Sequence, residues 1–208
     1  MTSTYRFPLM WLLLIGGHGC SEKSPVVAAP GAKTSKETTE SAPSSTSTRQ
    51  APPPQVAGFL GMRGAALRTH VRKFPHGAIV NLWASWCGSC KQELPMLKQV
   101  ADAYADHGLG LVTISADTPK ALPKAQALLT EAGLRSEAFY LADRVSVFRK
   151  AVDTRWKGAI PATFLIDPKG QVRYFWNGPV LADEIRDVVQ RYLAGEQVDG
   201  MTDFTVGQ

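Results

Sequence analysis

The sequence WASWCGSCKQELP, from Trp83 to Pro95, decides how this chain is interpreted. It contains Cys87 and Cys90, and the third cysteine of the chain, Cys20, lies far upstream. Two cysteines at this spacing are compatible with half of a metal site, a structural disulfide, or a redox pair that opens and closes. The neighbouring residues and the cellular compartment decide between these three interpretations.

The first two interpretations fit the sequence poorly. A structural zinc site needs four ligands, usually completed by a second CxxC or by two closely spaced histidines. No further cysteine follows, and His70, His76 and His107 are not spaced as a pair. A purely structural disulfide would close a loop of only a few residues and constrain the unfolded chain little. We therefore predict no metal site and disfavour a structural disulfide.

The local pattern favours the redox pair. AIVNLW (78–83) is a short apolar run typical of a buried strand, and the apolar residues from Cys90 onward recur at helical spacing. Cys87 is thus predicted where a strand ends and a helix begins, so that free backbone N–H groups, the helix dipole and Lys91 favour its thiolate. We expect Cys87 to be the nucleophile. Cys90, one helical turn further on and more buried, is expected to resolve the mixed disulfide.

The remaining sequence predicts an α/β domain. The cysteine helix should end near Gly108, and LGLVTIS (109–115) should form a second strand, parallel to the first through a right-handed crossover. Further helices are predicted over residues 118–133, 145–153 and 181–193. Further strands are predicted over residues 138–142, at a sheet edge, and over residues 162–167 and 171–176, as a hairpin. The expected architecture is a mixed central sheet with helices on both faces.

The N-terminal residues indicate export. Arg6 precedes FPLMWLLLIGG (7–17), an apolar run too short to span a membrane, and we predict a signal peptide over residues 1–19. The small residues before Cys20 fit an ordinary signal-peptidase site, whereas Cys20 itself resembles the lipid-modified cysteine of bacterial lipoproteins. We favour lipidation, because an unmodified Cys20 would be a leftover free thiol in an oxidising space.

Composition divides the rest of the chain. Residues 20–54 are rich in Ser, Thr, Pro, Ala and Lys and contain no aromatic residue, so we predict a disordered tether. The folded domain is predicted over residues 55–193, with a tail over residues 194–208. The expected location is extracytoplasmic and membrane-tethered through the lipid anchor, and the alternative is a soluble periplasmic or secreted protein. The net charge of +5 comes from scattered Lys and Arg, which disfavours nucleic-acid binding.

The cysteine motif resembles the active site of the thioredoxin-like superfamily. More narrowly, it is similar to that of the TlpA/ResA group of tethered, extracytoplasmic thiol–disulfide oxidoreductases. The resemblance covers roughly residues 55–193 and implies a thioredoxin-like fold. Trp83 and Trp86 flank the cysteines as they do in the family, and Pro95 stands where the superfamily has a proline that kinks the helix.

The resemblance also implies a peptide-binding edge. GAIPATFLID (158–167) matches the segment that holds the superfamily's cis-proline, which makes Pro161 the candidate. X-Pro bonds are cis in only about 5–6% of cases, so this assignment comes from the resemblance and not from the local sequence. By the same resemblance, the backbone of Ile160 faces the disulfide and pairs with a bound peptide, and Trp86 belongs to the substrate-binding surface.

Two further residues match the TlpA/ResA group. Glu93 corresponds to the group's glutamate after the CxxC, and it shares a helical face with Cys90. If this carboxylate is partly buried, its pKa is raised and it can shuttle the proton of Cys90, whereas the alternative is a solvated helix glutamate. Asn81 stands where thioredoxin has a buried aspartate and where this group often has asparagine. Residues 118–143 correspond to the group's central αβ insertion.

The resemblance implies an enzyme without a cofactor that exchanges dithiols and disulfides. Its expected partners are client proteins with cysteines or disulfides, apocytochrome c among them, and an upstream membrane electron donor. We expect a reductant, but Gly88-Ser89 departs from the family, which usually has a proline at one of these positions. Because this dipeptide tunes the redox poise, an oxidising or isomerising protein remains the alternative.

Two other functional classes share the fold. A thiol peroxidase needs a cysteine in a Pro-Thr-Cys context, which the sequence lacks. A copper-binding chaperone uses a wider CxxxC and a distant histidine, and here the spacing is CxxC with no histidine near the predicted hairpin. Both classes are therefore disfavoured.

Overall fold

The structure, a computed structural model, describes residues 55–135 and 137–204. The predicted signal peptide, the predicted tether and Cys20 lie outside the described residues. The strands are β1 (Gln55–Val56), β2 (Phe59–Met62), β3 (Ala78–Trp83), β4 (Gly110–Ser115), β5 (Ala138–Leu141), β6 (Ala162–Ile166), β7 (Val172–Asn177) and β8 (Gly200–Asp203). The α-helices are α1 (Gly64–Val71), α2 (Gly88–Ala103), α3 (Leu122–Glu131), α4 (Val145–Val152) and α5 (Ala182–Leu193).

The strands form one mixed sheet in the order β1-β2-β5-β4-β3-β6-β7-β8. Strand β3 pairs parallel with β4 and antiparallel with β6, which in turn forms the predicted hairpin with β7. The parallel pairing of β3 and β4 requires the crossover that α2 provides. The predicted fold class, a mixed sheet flanked by helices, is confirmed.

Strand β3 shows how the two faces of the sheet are covered. All six of its residues are buried, and alternate side chains point to opposite faces. Val80 and Leu82 pack in one cluster with residues of α1 and α4. On the other face, Ile79 packs with residues of α2 and α5, and Trp83 packs with residues of α2 and α3. The helices therefore lie on both faces, as expected for a strand that is apolar on both sides.

The predicted helices are shorter than the apolar periodicity suggested. Helix α2 ends at Ala103 and is followed by a 3-10 turn, Ala105–His107, and by Gly108 in the left-handed conformation at φ 73°. Helix α3 is likewise preceded by a 3-10 turn, Pro119–Ala121. Within 55–135 and 137–204, no helix is both long enough and apolar enough to cross a membrane.

The position predicted for β5 is wrong. The sequence predicts residues 138–142 at a sheet edge, whereas β5 lies between β2 and β4 and pairs parallel with both. The reason is β2, a four-residue strand ahead of α1 that the sequence analysis did not predict and that covers this edge. Its sequence FLGM is too short to show the alternation by which strands are recognised.

A further strand, β8, lies in the segment for which the sequence analysis predicted no element. It pairs parallel with β7, and Gly200 stands opposite Tyr174. A Cβ at Gly200 would lie 2.7 Å from the Tyr174 ring, so a larger residue here would force the strand or the ring to shift. The side chains of β8 are only partly buried, which explains why the segment lacks an apolar pattern.

Candidate active site

The site begins where β3 ends. After Trp83 the chain makes a tight turn in which the Cys87 N–H donates to the Ala84 carbonyl (3.1 Å). Cys87 is then the N-cap of α2, with extended backbone angles, and its Sγ accepts a hydrogen bond from the Cys90 N–H (3.3 Å). The sequence thus places Cys87 at the positive end of a 16-residue helix.

Cys87 and Cys90 are joined by a disulfide, with their Cα atoms 5.3 Å apart. Cys90 is fully enclosed, whereas 8% of Cys87 remains exposed, so Cys87 is the more accessible cysteine of the pair. The hydroxyl of Ser89, in the dipeptide between them, lies 3.6 Å from Cys87 Sγ. Lys91 follows the pair and is exposed.

The segment before β6 faces the disulfide. The Ile160–Pro161 peptide bond is cis, and the Ile160 carbonyl oxygen lies 4.0 Å from Cys87 Sγ. The indole of Trp156, a residue that was not predicted, donates to the Ala159 carbonyl (2.6 Å), directly before Ile160. The structure therefore brings Ile160 and Pro161 next to the cysteines, although more than 70 positions separate them in the sequence.

Glu93 lies one helical turn after Cys90 and is 4% exposed, so it is not a solvated helix glutamate. Burial raises the pKa of its carboxyl from 4.5 to about 7, against the opposing effects of a hydrogen bond from the Val180 N–H and of the Asn81 side chain. The Val180 N–H donates to Glu93 Oε1 at 2.7 Å. No hydrogen-bond partner reaches Oε2 within the described part of the chain.

The partner of Glu93 comes from a segment that sequence reasoning did not single out. Residues 178–181 connect β7 to α5, and the Gly178 N–H donates to the Pro161 carbonyl (3.0 Å). This segment therefore bonds to the Pro161 backbone through Gly178 and to Glu93 on α2 through Val180. Asn81, on the neighbouring strand β3, donates from Nδ2 to Thr163 Oγ1 on β6 (2.9 Å).

A second buried carboxylate, Asp117, was missed by the sequence analysis. One of its oxygens, Oδ2, accepts from the Ser85 N–H (2.7 Å) and from the Ser115 hydroxyl (2.8 Å), and Oδ1 accepts from the Ser85 hydroxyl (2.8 Å). Its position in the sequence could have identified it, because Asp117 comes shortly after β4. The carboxyl ends of adjacent parallel strands meet at one edge of a sheet, where functional polar residues are often found.

The surface around the cysteines is apolar and open. Trp86 is 66% exposed beside Cys87, and Leu181 is 71% exposed at the start of α5. A cleft of about 290 Å³ is lined by Leu181 together with Ser89, Glu93 and the rest of the 179–182 segment. In the regions 55–135 and 137–204, no three His, Cys, Asp or Glu side chains lie close enough together to hold a metal ion.

Comparison with known proteins gives one matching family model, described as the AhpC/TSA family, over residues 65–175. Among curated relatives, the thiol:disulfide interchange protein DsbE of Allochromatium vinosum is 33% identical over 124 residues, which cover 57% of this chain and 63% of that protein. The thiol-disulfide oxidoreductase ResA of Geobacillus thermodenitrificans is 25% identical over 112 residues, which cover 53% of this chain and 59% of that protein.

A third relative, the probable thiol:disulfide interchange protein DsbE-2 of Pasteurella multocida, is 35% identical over 102 residues. These cover 49% of this chain and 48% of that protein. The chain thus spans between about half and just under two thirds of the length of these three relatives. The matched family region includes the cysteine pair and the cis-proline segment.

Proposed function

The chain belongs to the AhpC/TSA family and has a thioredoxin-like fold, and from this premise we propose that it is a thiol–disulfide oxidoreductase that reduces disulfides in client proteins. The observation that carries the proposal is the Cys87–Cys90 disulfide at the N-terminus of α2, opposite the Ile160 carbonyl. The names of the relatives, thiol:disulfide interchange protein and thiol-disulfide oxidoreductase, support the same reaction class.

The first step is attack by reduced Cys87. The Cys90 N–H that donates to Cys87 Sγ in the disulfide form is placed to stabilise a Cys87 thiolate, as is the helix dipole. The thiolate attacks one sulfur of the client disulfide, forming a bond between Cys87 Sγ and that sulfur. The second client sulfur leaves as a thiolate and takes up a proton from solvent.

The second step is resolution by Cys90. Cys90 loses its proton and attacks Cys87 Sγ, which forms the Cys87–Cys90 disulfide and releases the client's remaining sulfur as a thiolate. Two electrons have then moved from the protein dithiol to the client disulfide. We assign the proton of Cys90 to Glu93, because a carboxyl with a pKa of about 7 is partly ionised near neutral pH and can accept it.

Client binding is assigned to the edge formed by Ile160, Pro161 and Trp86. An extended client segment can pair with the backbone of Ile160 next to the cis bond, as strands add to exposed backbone in other peptide-binding sites. The exposed indole of Trp86 offers apolar contact beside the reacting sulfur. Disulfides between client cysteines, including those of apocytochrome c before haem attachment, are the proposed substrate class.

The proposed location is outside the cytoplasm. The apolar run over residues 7–17 and the following tether support export, and Cys20 supports a lipid anchor. A membrane dithiol donor then returns the Cys87–Cys90 disulfide to the reduced state. The lipid anchor, the membrane donor and the export of the protein all rest on the N-terminal sequence and on the redox chemistry.

Trapping in cells tests the proposal. In the Cys90→Ser variant the mixed disulfide cannot be resolved, so we expect Cys87 to accumulate in covalent, reductant-sensitive complexes with extracytoplasmic proteins. The matched control is the double variant Cys87→Ser, Cys90→Ser, which should form none. If the single variant forms no more adducts than the double variant, the exchange mechanism is wrong.

A further inference from the structure

Asp117 takes no part in the exchange steps, yet it is a buried acidic residue that is only 5% exposed. A buried carboxylate is costly unless its oxygens are satisfied by hydrogen bonds. Here three short bonds satisfy them, and two of the three come from one residue, Ser85. The Asp117 N–H in turn donates to the Ser115 hydroxyl (3.0 Å), so the carboxylate is itself held in place by the end of β4.

Ser85 lies inside the turn that delivers Cys87. The turn is closed by the bond from the Cys87 N–H to the Ala84 carbonyl, and Ser85 is held at both its backbone N–H and its hydroxyl. The neighbouring Ala116 N–H donates to the Trp83 carbonyl (2.7 Å), which extends the pairing of β3 and β4 up to the turn. The position of the turn is thus set by the adjacent strand as well as by its own.

We propose that Asp117 is a positioning residue for the nucleophile: through Ser85 it fixes the turn that holds Cys87 against the Ile160 edge. The inference rests on the proposed function, because the edge matters only if a client disulfide is held there for attack. A displacement of about 1 Å between reacting groups costs up to about 100-fold in rate. Releasing the turn therefore slows attack on a docked disulfide even when the thiolate itself is intact.

A purely stabilising role predicts a different outcome, and the chain offers a matched control. Asp167 is also a buried carboxylate, 8% exposed, and accepts from the Lys169 N–H (2.9 Å) and the Gln171 N–H (2.8 Å). It lies next to Gly77, at the opposite end of β3 from the cysteines. Asp167→Ala therefore removes comparable hydrogen bonds to backbone N–H groups, far from the cysteines.

The test compares the reduced full-length protein with its Asp117→Ala, Asp117→Asn and Asp167→Ala variants. We measure the rate of exchange with a disulfide-bonded peptide and the limiting rate of Cys87 alkylation by iodoacetamide at high pH. Asp117→Ala is expected to slow exchange by about tenfold or more while the limiting alkylation rate changes less than about twofold. Asp167→Ala is expected to leave both rates within about twofold of wild type.

The conservative variant Asp117→Asn is expected to keep the exchange rate that Asp117→Ala loses. Its amide oxygen can accept from the Ser85 N–H and the Ser115 hydroxyl, and its NH₂ can donate to the Ser85 hydroxyl, so exchange should stay within about twofold of wild type. Exchange as slow in Asp117→Asn as in Asp117→Ala, or equal slowing by Asp167→Ala, overturns the inference. If Asp117→Ala does not fold, Ser85→Ala takes its place in the test. A rate of disulfide exchange about threefold below that of wild type supports the positioning role, and an unchanged rate overturns it.

Amide hydrogen exchange separates this inference from the proposed function. If the wild-type protein transfers no electrons to the peptide, the proposed function fails. The effect of Asp117 on the turn can still be measured, as the hydrogen-exchange rates of the Ser85 and Cys87 amides. Asp117→Ala, or Ser85→Ala in its place, should accelerate hydrogen exchange at these amides, and Asp167→Ala should not. Unchanged exchange at both amides in the folded variant overturns the positioning role.

Discussion

Glu93 is buried, unlike most glutamates on the surface of a helix. Its carboxyl is enclosed between α2 and the segment that precedes α5, with a single backbone donor, Val180, on one oxygen. Burial disfavours its charged form, which raises its pKa to about 7. The family resemblance singled out Glu93, one turn after Cys90, but Val180 comes from a distant segment that only the fold brings near.

The raised pKa of Glu93 makes stability depend on pH. The folded protein holds the proton up to about pH 7 and the unfolded chain releases it near pH 4.5, so stability falls as pH rises through this interval. We expect oxidised wild type to lose up to about 3 kcal/mol of unfolding free energy, relative to Glu93→Gln, between pH 4 and pH 8. Urea unfolding at each pH measures the difference.

Glu131→Gln is the control for this pH series, because Glu131 is exposed at the end of α3. Its unfolding free energy should follow that of wild type across the whole interval. A Glu93→Gln profile parallel to that of wild type would show that Glu93 is not held protonated by burial.

At the scale of elements, the strands and helices with regular apolar patterns were predicted, and the irregular ones were not. Strand β3 and helix α2 carry continuous apolar patterns, so the strand-to-helix junction at Cys87 follows from the sequence. Strand β8 carries no such pattern, because its side chains are partly exposed and its position depends on the packing of Gly200 against Tyr174. Contacts of this kind are tertiary and leave no local signal.

Strand β8 can be tested through Gly200. In Gly200→Ala the added Cβ would lie 2.7 Å from the Tyr174 ring, so the strand or the ring must shift. We expect a loss of about 1–3 kcal/mol in unfolding free energy, the usual cost of overpacking, measured by chemical denaturation. Met201→Ala, at an exposed neighbouring position, should stay within about 0.5 kcal/mol of wild type. A neutral Gly200→Ala would argue against β8 lying on β7.

For the whole molecule, the sequence predicted the mixed sheet, its two helical layers and the cysteine pair. The cis bond before Pro161 came from the family resemblance, since the local sequence favours trans. The residues that hold the site together, Asp117, Trp156 and Val180, were not predicted. Asp117 and Val180 bond to Ser85 and Glu93, which are distant in sequence, and such contacts follow from strand order, which local patterns do not reveal. Trp156 bonds to Ala159 only three residues away, but its burial among residues of other elements is a tertiary feature.

Electron transfer from the isolated protein tests the central claim most directly. The reduced protein is mixed with one equivalent of a disulfide-bonded peptide, and the thiols on both molecules are counted by alkylation and mass spectrometry. We predict that the peptide gains two thiols while Cys87 and Cys90 become a disulfide, and that Cys87→Ser transfers none. A peptide that stays oxidised, or equal transfer by Cys87→Ser, would contradict the assignment of this pair as the protein's reducing site.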